Sequence, residues 1–500
     1  MKPKQSLTRK VLKNIFYQGL SSTVAKLGAL IFTIVIARTF FPELFGIYTL
    51  ALTIIITLTT ISDIGLGNTI TRYISKSLGK KNKKQARSRF LFLLKIRFLT
   101  ALIFSVLLFL LSGWIADMFS KPALILPLQI GSIYLFITSI YTVFGALFFA
   151  LQKFNYKTIS ETIFQISKII LIFIFLYFYK TILGVFIILS ISLLLALIFL
   201  FMIIIKKYKF LIKGKQEPVE TKRLLVFSSF VFLSSLSAII FANIDKLMLG
   251  YFIQAEFVGY YTAIFSIISG LLGLFSLSIV VFPVFTQIHG KRLKRAFKKT
   301  FHYLAILIFP ITIGLAYLFI PIIRILYSGA YTPPEHNFTL TITSVFLSFL
   351  FLEGIITSLY IYLFNAREKP KIPAITMIIT TILNVLFNYL LISYLIQFRP
   401  GYGLIGASLA TFVSRYIYLG SLLILGKNKL NVAPNKNSII KPLISSIIML
   451  TFLFIFDYLV PLNIFYGIIM VVSAVLIYIL IMFLIRGIKK EDFELLKLFK

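Results

Sequence analysis

Cysteine is absent from the 500 residues, which removes disulfides, thiolate nucleophiles and cysteine-based metal sites together. Acidic residues are scarce, 15 against 51 lysines and arginines. The three histidines, His289, His302 and His336, stand too far apart to form a local metal motif. No phosphate-cradling GxxxxGK[ST] occurs, because the Gly-Lys pairs beginning at 79, 214, 290 and 426 lack both the upstream glycine and the following Ser or Thr. The chain therefore encodes no ATPase of its own. Long polar loops are missing as well, and so is a clustered acidic motif of the kind a metal-dependent glycosyltransferase would carry outside the membrane. Enzyme readings recede accordingly.

What the chain has in abundance is apolar surface: 59% hydrophobic residues, 53 Phe, 13% charged residues and a mean hydropathy of +0.99. A soluble protein with that composition would not stay dispersed. The net charge of +36 would suggest nucleic acid if it formed a patch on a globular domain, but the cations sit in short clusters between long apolar runs, which is the pattern of membrane topology. The opening MKPKQSLTRKVLK is basic like the start of a signal peptide. The run that follows, 15–37, meets RTFFPE with no small-residue cleavage site, so it reads as an uncleaved first span.

A span needs about 20 apolar residues to cross about 30 Å of hydrocarbon. Fourteen stretches qualify, over approximately 15–37, 45–64, 90–112, 123–149, 158–179, 181–205, 224–244, 257–285, 300–321, 338–363, 373–396, 403–425, 439–459 and 463–485. With the N-terminus inside, the inner segments hold forty Lys and Arg and the outer loops six: Arg38, Lys121, Lys180, Lys246, Arg324 and Arg399. Alternation of that kind, loop by loop, supports both the number of spans and a cytoplasmic location for both termini, since one missed span would invert every later loop. The fold class expected is an all-α, polytopic membrane protein with about fourteen transmembrane helices.

The chain also repeats itself. FPELFGIYTLA at 41–51 aligns with QAEFVGYYTAI at 254–264, matching Glu43 with Glu256, Gly46 with Gly259, Tyr48 with Tyr261 and Thr49 with Thr262 at an offset of 213. ALQKFNYK at 150–157 aligns with FNAREKPK at 364–371 at an offset of 214. Six spans separate the copies, so the repeats are parallel and related by an axis along the membrane normal, a transporter plan. The organisation read from this is a first lobe over 1–205, a basic linker over 206–223, a second lobe over 224–426, two additional helices over 438–486 and a tail over 487–500.

Inside lipid, polar side chains turn to a partner or to a watery cavity, so their helical phase marks the interior face. The second span carries Thr49, Thr53, Thr57, Thr60 and Asp63 on one face, and the eighth carries Thr262, Ser266, Ser269, Gly273 and Ser276. The first span adds Gln18, Ser22, Lys26 and Thr33; the seventh adds Ser228, Ser235 and Asp245. Close helix packing through small residues explains such stripes as readily as a cavity does. Lys26 is harder to explain by packing. It stands eleven residues into its span, near the midplane, where an unpaired Lys costs about 2.5 to 3.5 kcal/mol on insertion scales, and a cation there calls for a carboxylate or an anionic substrate. Asp63 and Arg72, nine residues apart at the inner end of the second span, suggest an interfacial salt bridge. Glu161 with Lys168 in the fifth span, and Glu353 with Arg415 in the second lobe, are weaker candidates.

Three stretches resemble a known family. IARTFFPELFGIYTLALTIIITLTTISDIGLGNTITRYIS at 36–75 resembles the opening of Wzx-type polysaccharide flippases, of the multidrug/oligosaccharidyl-lipid/polysaccharide exporter superfamily. NIDKLMLGYFIQAEFVGYYTA at 243–263 and GLIGASLAT at 403–411 resemble the second-lobe signatures of the same family. The resemblance implies two six-helix bundles forming a V around a central cavity. Alternating access there would move a polyisoprenyl-diphosphate-linked oligosaccharide from the cytoplasmic to the outer leaflet. It implies a cationic cavity, carried by position onto Lys26, and it matches Arg72 and Asp245 to family motifs. Further cations are few on the first-lobe stripes, a departure from that pattern. The substrate-binding candidates are thus Lys26, Ser22, Thr53, Thr60, Asp63, Arg72, Ser235, Asp245 and Ser266. No catalytic residue, metal or organic cofactor is expected, and a coupling proton or sodium ion is left open. The expected partners are the lipid-linked oligosaccharide, membrane lipids and glycan-assembly enzymes, with no nucleic acid. An ion-coupled drug or metabolite antiporter of the same superfamily, and a membrane glycosyltransferase or polymerase, are the competing functions. High Ile and Lys content points to a prokaryotic source.

Overall fold

The computed structural model describes residues 3–178, 180–275, 285–460 and 464–488, with side chains from Tyr17 onward. All of its regular elements are helical: α1 (Pro3–Asp63), α2 (Leu66–Gly79), α3 (Lys83–Leu110), α4 (Ser112–Met118), α5 (Ile125–Ala150), α6 (Phe154–Phe178), α7 (Ile182–Lys207), α8 (Thr221–Phe252), α9 (Ala255–Leu274), α10 (Gly290–Leu326), α11 (Asn337–Ala366), α12 (Lys371–Leu395), α13 (Gly403–Leu430), α14 (Asn437–Leu459) and α15 (Ile464–Leu484). Among the described residues 13 helical stretches are long and apolar enough to cross a membrane, so the chain is a multi-pass membrane protein.

The first helical stretch carries two of the expected spans. At 1.5 Å per residue its 61 residues would reach about 90 Å, three times the hydrocarbon thickness. It breaks at Phe41, where φ is 57° and ψ is 168°. Pro42 is the cause: its ring disfavours helical geometry in the residue before it and it has no N–H to donate. A second break follows at Ile64 and Gly65, both with positive φ, and turns the chain into the short amphipathic α2. The helix of the eighth expected span is described to Leu274; residues 276–284, Ser276 among them, and the tail beyond Ile488 lie outside the described residues.

Caps and charges end the helices where the sequence permits. Asn82 accepts a hydrogen bond from Gln85 N at 2.9 Å at the start of α3, Thr181 caps α7, and Lys206 and Lys207 occupy the last turn of α7, where cations complement the helix dipole. Lys121, in the loop before α5, donates to the carbonyls of Gly250 (2.6 Å) and Ile253 (2.9 Å), the last turn of α8. Outward faces are apolar, as Ile103, Phe173 and Ile382 illustrate by exposures above 50%. In water such faces would aggregate; against lipid tails they cost nothing.

The chain divides into two compact units. One comprises Met1–Ser276, Leu326–Tyr331 and Met377–Thr411. Inside it the second half of α1 crosses α9 at the two glycines the repeat aligns. A Cβ on Gly46 would fall on the carbonyl of Ala255, and one on Gly259 on the carbonyl of Pro42, so only glycine lets the two backbones meet. The other unit comprises Leu277–Ile325, Thr332–Thr376 and Phe412–Lys500. There α14 and α15 pack on α10 through Ile313, Met449, Leu453, Met470, Ala474, Tyr478 and Met482. Tyr478 Oη donates to Ile306 O at 2.8 Å, and Tyr317 Oη to Asp457 Oδ2 at 2.5 Å.

Candidate functional site

Lys26 lies on the face of α1 that rides on α9. Its alkyl stem rests on Gly273, where a Cβ would stand 2.5 Å from Lys26 Cδ, and Leu30, one turn on, rests in the same way on Gly270. One position of the eighth-span stripe thus serves packing directly: the small residue makes room for the lysine. The ammonium is half-buried and enters none of the ion pairs among the described residues. Ser22, one turn earlier, is half-buried too.

The threonine stripe of the second span is largely self-satisfied. Thr49, Thr53, Thr57 and Thr60 donate to carbonyls of their own helix, those of Gly46, Thr49, Thr53 and Ile56, at 2.7 to 3.1 Å. Their hydroxyl donors are spent on α1 itself and only lone pairs remain to receive a donor.

Asp63 and Arg72 do not pair, contrary to expectation. The turn at Ile64 and Gly65 swings α2 away from the axis of α1. Asp63 instead stands 3.7 Å from Arg97 Nη1 of α3 and accepts weakly from Gly67 N at 3.4 Å. Arg97 is fully buried and also donates to Ser139 O (3.1 Å), Ser62 Oγ (3.0 Å) and Thr59 O (3.3 Å). Asp63 is therefore the counter-ion of a structural arginine. Arg72 lies exposed on α2 with its guanidinium over the Phe227 ring, 4.3 Å from its centre.

Asp245 is buried; it accepts from the Tyr261 hydroxyl and, at 2.9 Å, from Lys246 N. Lys246, assigned to an outer loop from sequence, belongs to α8, and its ammonium is 4.8 Å from the centre of the Phe265 ring. Ser266 donates to Ala263 O and meets Tyr327 Oη at 2.5 Å, while Ser235 is half-buried on α8. The structure thus seats Lys26 on Gly273 of the α9 stripe, and gives Asp63 and Asp245 protein partners.

Two further groups separate differently from the spacing argument. Glu161 pairs with Lys157, four residues earlier, at 3.0 Å, and accepts from Gln165 at 2.8 Å and Tyr141 at 3.3 Å. Lys168, seven residues on, is buried between the rings of Phe32 and Phe164, 4.8 and 5.0 Å from their centres. The i,i+4 spacing of Lys157 and Glu161 was the available signal. In the other unit Glu353, fully buried, accepts from Thr357 Oγ1 at 2.6 Å and stands 3.6 Å from Arg415 Nη1.

The profile of a family described as polysaccharide biosynthesis protein matches residues 11–289. An uncharacterised membrane protein of Methanocaldococcus jannaschii is 24% identical over 383 residues, 71% of each chain. Among solved structures, the lipid II flippase MurJ in an inward closed conformation superposes with a TM-score of 0.75 at 19% identity, over 93% of this chain and 98% of that one. An inward-facing multidrug resistance transporter of the MATE family gives 0.64 at 16% identity over 81% and 94%. A superfamily transporter from Pyrococcus furiosus gives 0.57 at 15% over 84% and 96%. At these identities the structural likeness speaks to the fold.

Proposed function

The chain belongs to the polysaccharide biosynthesis protein family, and from that premise we propose that it flips a polyisoprenyl-diphosphate-linked oligosaccharide from the cytoplasmic to the outer leaflet by alternating access. The observation that carries the reading is Lys26. It is a cation eleven residues into an apolar span, seated on a glycine of a second helix and joined to no carboxylate among the described residues. A diphosphate passing it supplies the missing counter-charge in a medium of low effective dielectric, where that contact outweighs a surface ion pair. The fold of a lipid II flippase, shared over nearly the whole chain, supports the choice of a lipid-linked cargo. In this reading the protein sits in a prokaryotic cell membrane with both termini cytoplasmic, works as a transporter and not as an enzyme, and receives its cargo from glycan-assembly enzymes.

Reconstitution tests this. Vesicles holding the purified chain are loaded on one leaflet with a polyprenyl-diphosphate-linked oligosaccharide, and its appearance on the other is read with an impermeant lectin. Transfer is expected with the wild-type chain. Lys26→Ala, which removes an insertion cost, is expected to accumulate normally yet lose most transfer, and Lys26→Arg to retain part of it. Normal transfer by Lys26→Ala, or its failure to accumulate, assigns the residue to no role or to a structural one. Export of a cationic drug without transfer of the glycolipid would favour the antiporter.

A further inference from the structure

Beyond the break at Gly65, α2 turns Leu66, Thr69, Ile70, Tyr73, Ile74 and Ser77 inward. Its opposite face presents Asn68, Arg72 and Lys76 at steps of four, all exposed, with Lys80 as the next residue of the series. Nearby acids are occupied elsewhere. Glu217 accepts from Asn82 at 3.0 Å, and Glu220 pairs with Arg89 and Arg223, each at 3.5 Å. Arg72 enters no ion pair among the described residues. It lies instead over Phe227 of α8, with Tyr73 set edge-on to the same ring at 5.5 Å. A guanidinium that rests on a ring and enters no ion pair still has N–H groups to offer, and two of them side by side are what grip an oxyanion with two parallel bonds.

The ring that holds Arg72 belongs to a turn with a second attachment. Ser228, the next residue, is fully buried and donates to Ile64 O at 2.5 Å. Gly65, with φ of 74°, lies so close beneath it that a Cβ there would strike Ser228 O. The start of α8 is therefore seated in the α1–α2 break at the lysine- and arginine-rich end, and Arg72 sits at the edge of that seat.

We propose that Arg72, assisted by Lys76, is a receiving site for the diphosphate of the lipid-linked cargo, and that capture of the diphosphate lifts the guanidinium off Phe227 and loosens the α8 turn from Gly65. The identity of the cargo rests on the function proposed above; the site itself rests on α2 and α8. A charge-assisted bidentate contact is stronger than an exposed cation–π contact, so the ligand wins the arginine. The competing account, that these cations only satisfy the inner-side charge bias, requires positive charge and nothing more. Under it Lys serves as well as Arg at position 72.

The absence of cysteine makes the test direct. The full chain carrying Ser228→Cys, in nanodiscs of neutral lipid, is labelled with a water-soluble maleimide with and without farnesyl diphosphate. Direct binding of radiolabelled farnesyl diphosphate to the otherwise unmodified chain runs alongside, so the result survives if the cysteine variant fails to fold. The probe is expected to accelerate labelling several-fold. Arg72→Lys, which keeps the charge and loses the fork, is expected to weaken probe binding about tenfold, and Lys76→Ala about threefold. Phe227→Leu should label quickly without the probe. Wild-type binding by Arg72→Lys, or labelling indifferent to the probe, overturns the proposal. Inorganic diphosphate acting at the same concentration as the farnesyl form overturns the lipid headgroup as ligand. Arg72-dependent binding in a chain that transfers no glycolipid keeps the site and removes the proposed function; unchanged glycolipid transfer by Arg72→Lys does the reverse.

Discussion

Arg97 and Lys26 show two ways a cation is carried inside an apolar helix. Every nitrogen of Arg97 has an acceptor within 3.3 Å, and Asp63 balances its charge; the group is closed to anything else. Breaking such a group by deleting one member leaves a buried charge uncompensated, at a cost of about 3 to 5 kcal/mol. Arg97→Met is therefore expected to lower thermal stability in detergent sharply, and the double variant Arg97→Met with Asp63→Asn to recover much of the loss. An additive double variant would mean the two groups act separately. That cations lie within the spans was legible from the sequence. The partner of Asp63 was not, because helical phase tells which residues share a face of one helix but not which neighbouring helix meets that face. Arg72, on the same polypeptide stretch, was the nearer choice in sequence and the wrong one in space, since two residues of positive φ intervene.

At the scale of elements, Gly46 and Gly259, aligned by the sequence repeat, lie where two helices cross in contact. The sequence aligns them as equivalent positions of an expected repeat; that the two helices also touch each other there is read from the close approach of their backbones. Such a crossing tolerates no side chain, because each Cβ would land on the carbonyl of the opposite helix and neither backbone can yield without moving its whole helix. Gly259→Ala and Gly46→Ala are each expected to lower the melting temperature and to reduce glycolipid transfer. Gly420→Ala in α13, where a Cβ meets nothing within 4 Å, provides the contrast and is expected to leave both unchanged or to raise stability slightly through helix propensity. Equal effects at Gly259 and Gly420 would mean the crossing is loose. Here glycine spacing alone said less than the repeat did: small residues recur in many membrane helices, and only the shared offset singled out this pair.

For the whole molecule the question is how many times the chain crosses the bilayer, because side is a parity. The break at Phe41 divides α1 into two stretches each long enough to cross, so the thirteen long helical stretches among the described residues match the fourteen passes expected from the sequence. The charge clusters agree: Lys80 to Arg89, Lys206 to Arg223 and Lys291 to Lys299 fall at alternate turns, and cations are retained on the cytoplasmic side during insertion. Between Phe41 and Lys215 lie the second half of α1 and then α3, α5, α6 and α7; between Lys215 and Tyr331 lie α8, α9 and α10. Both are odd numbers of crossings. A side-sensitive reporter inserted after Lys215 is thus expected to report cytoplasm, and reporters at Phe41 and between Tyr331 and His336 to report the outside. If α1 were one rod with no crossing at Phe41, the parity of everything before it would invert, and the Phe41 reporter would share the side of Lys215. If instead the reporters at Lys215 and between Tyr331 and His336 fell on one side, the fourteen-pass topology itself would fail, and with it the expectation of a parallel repeat in which Gly46 and Gly259 are equivalent.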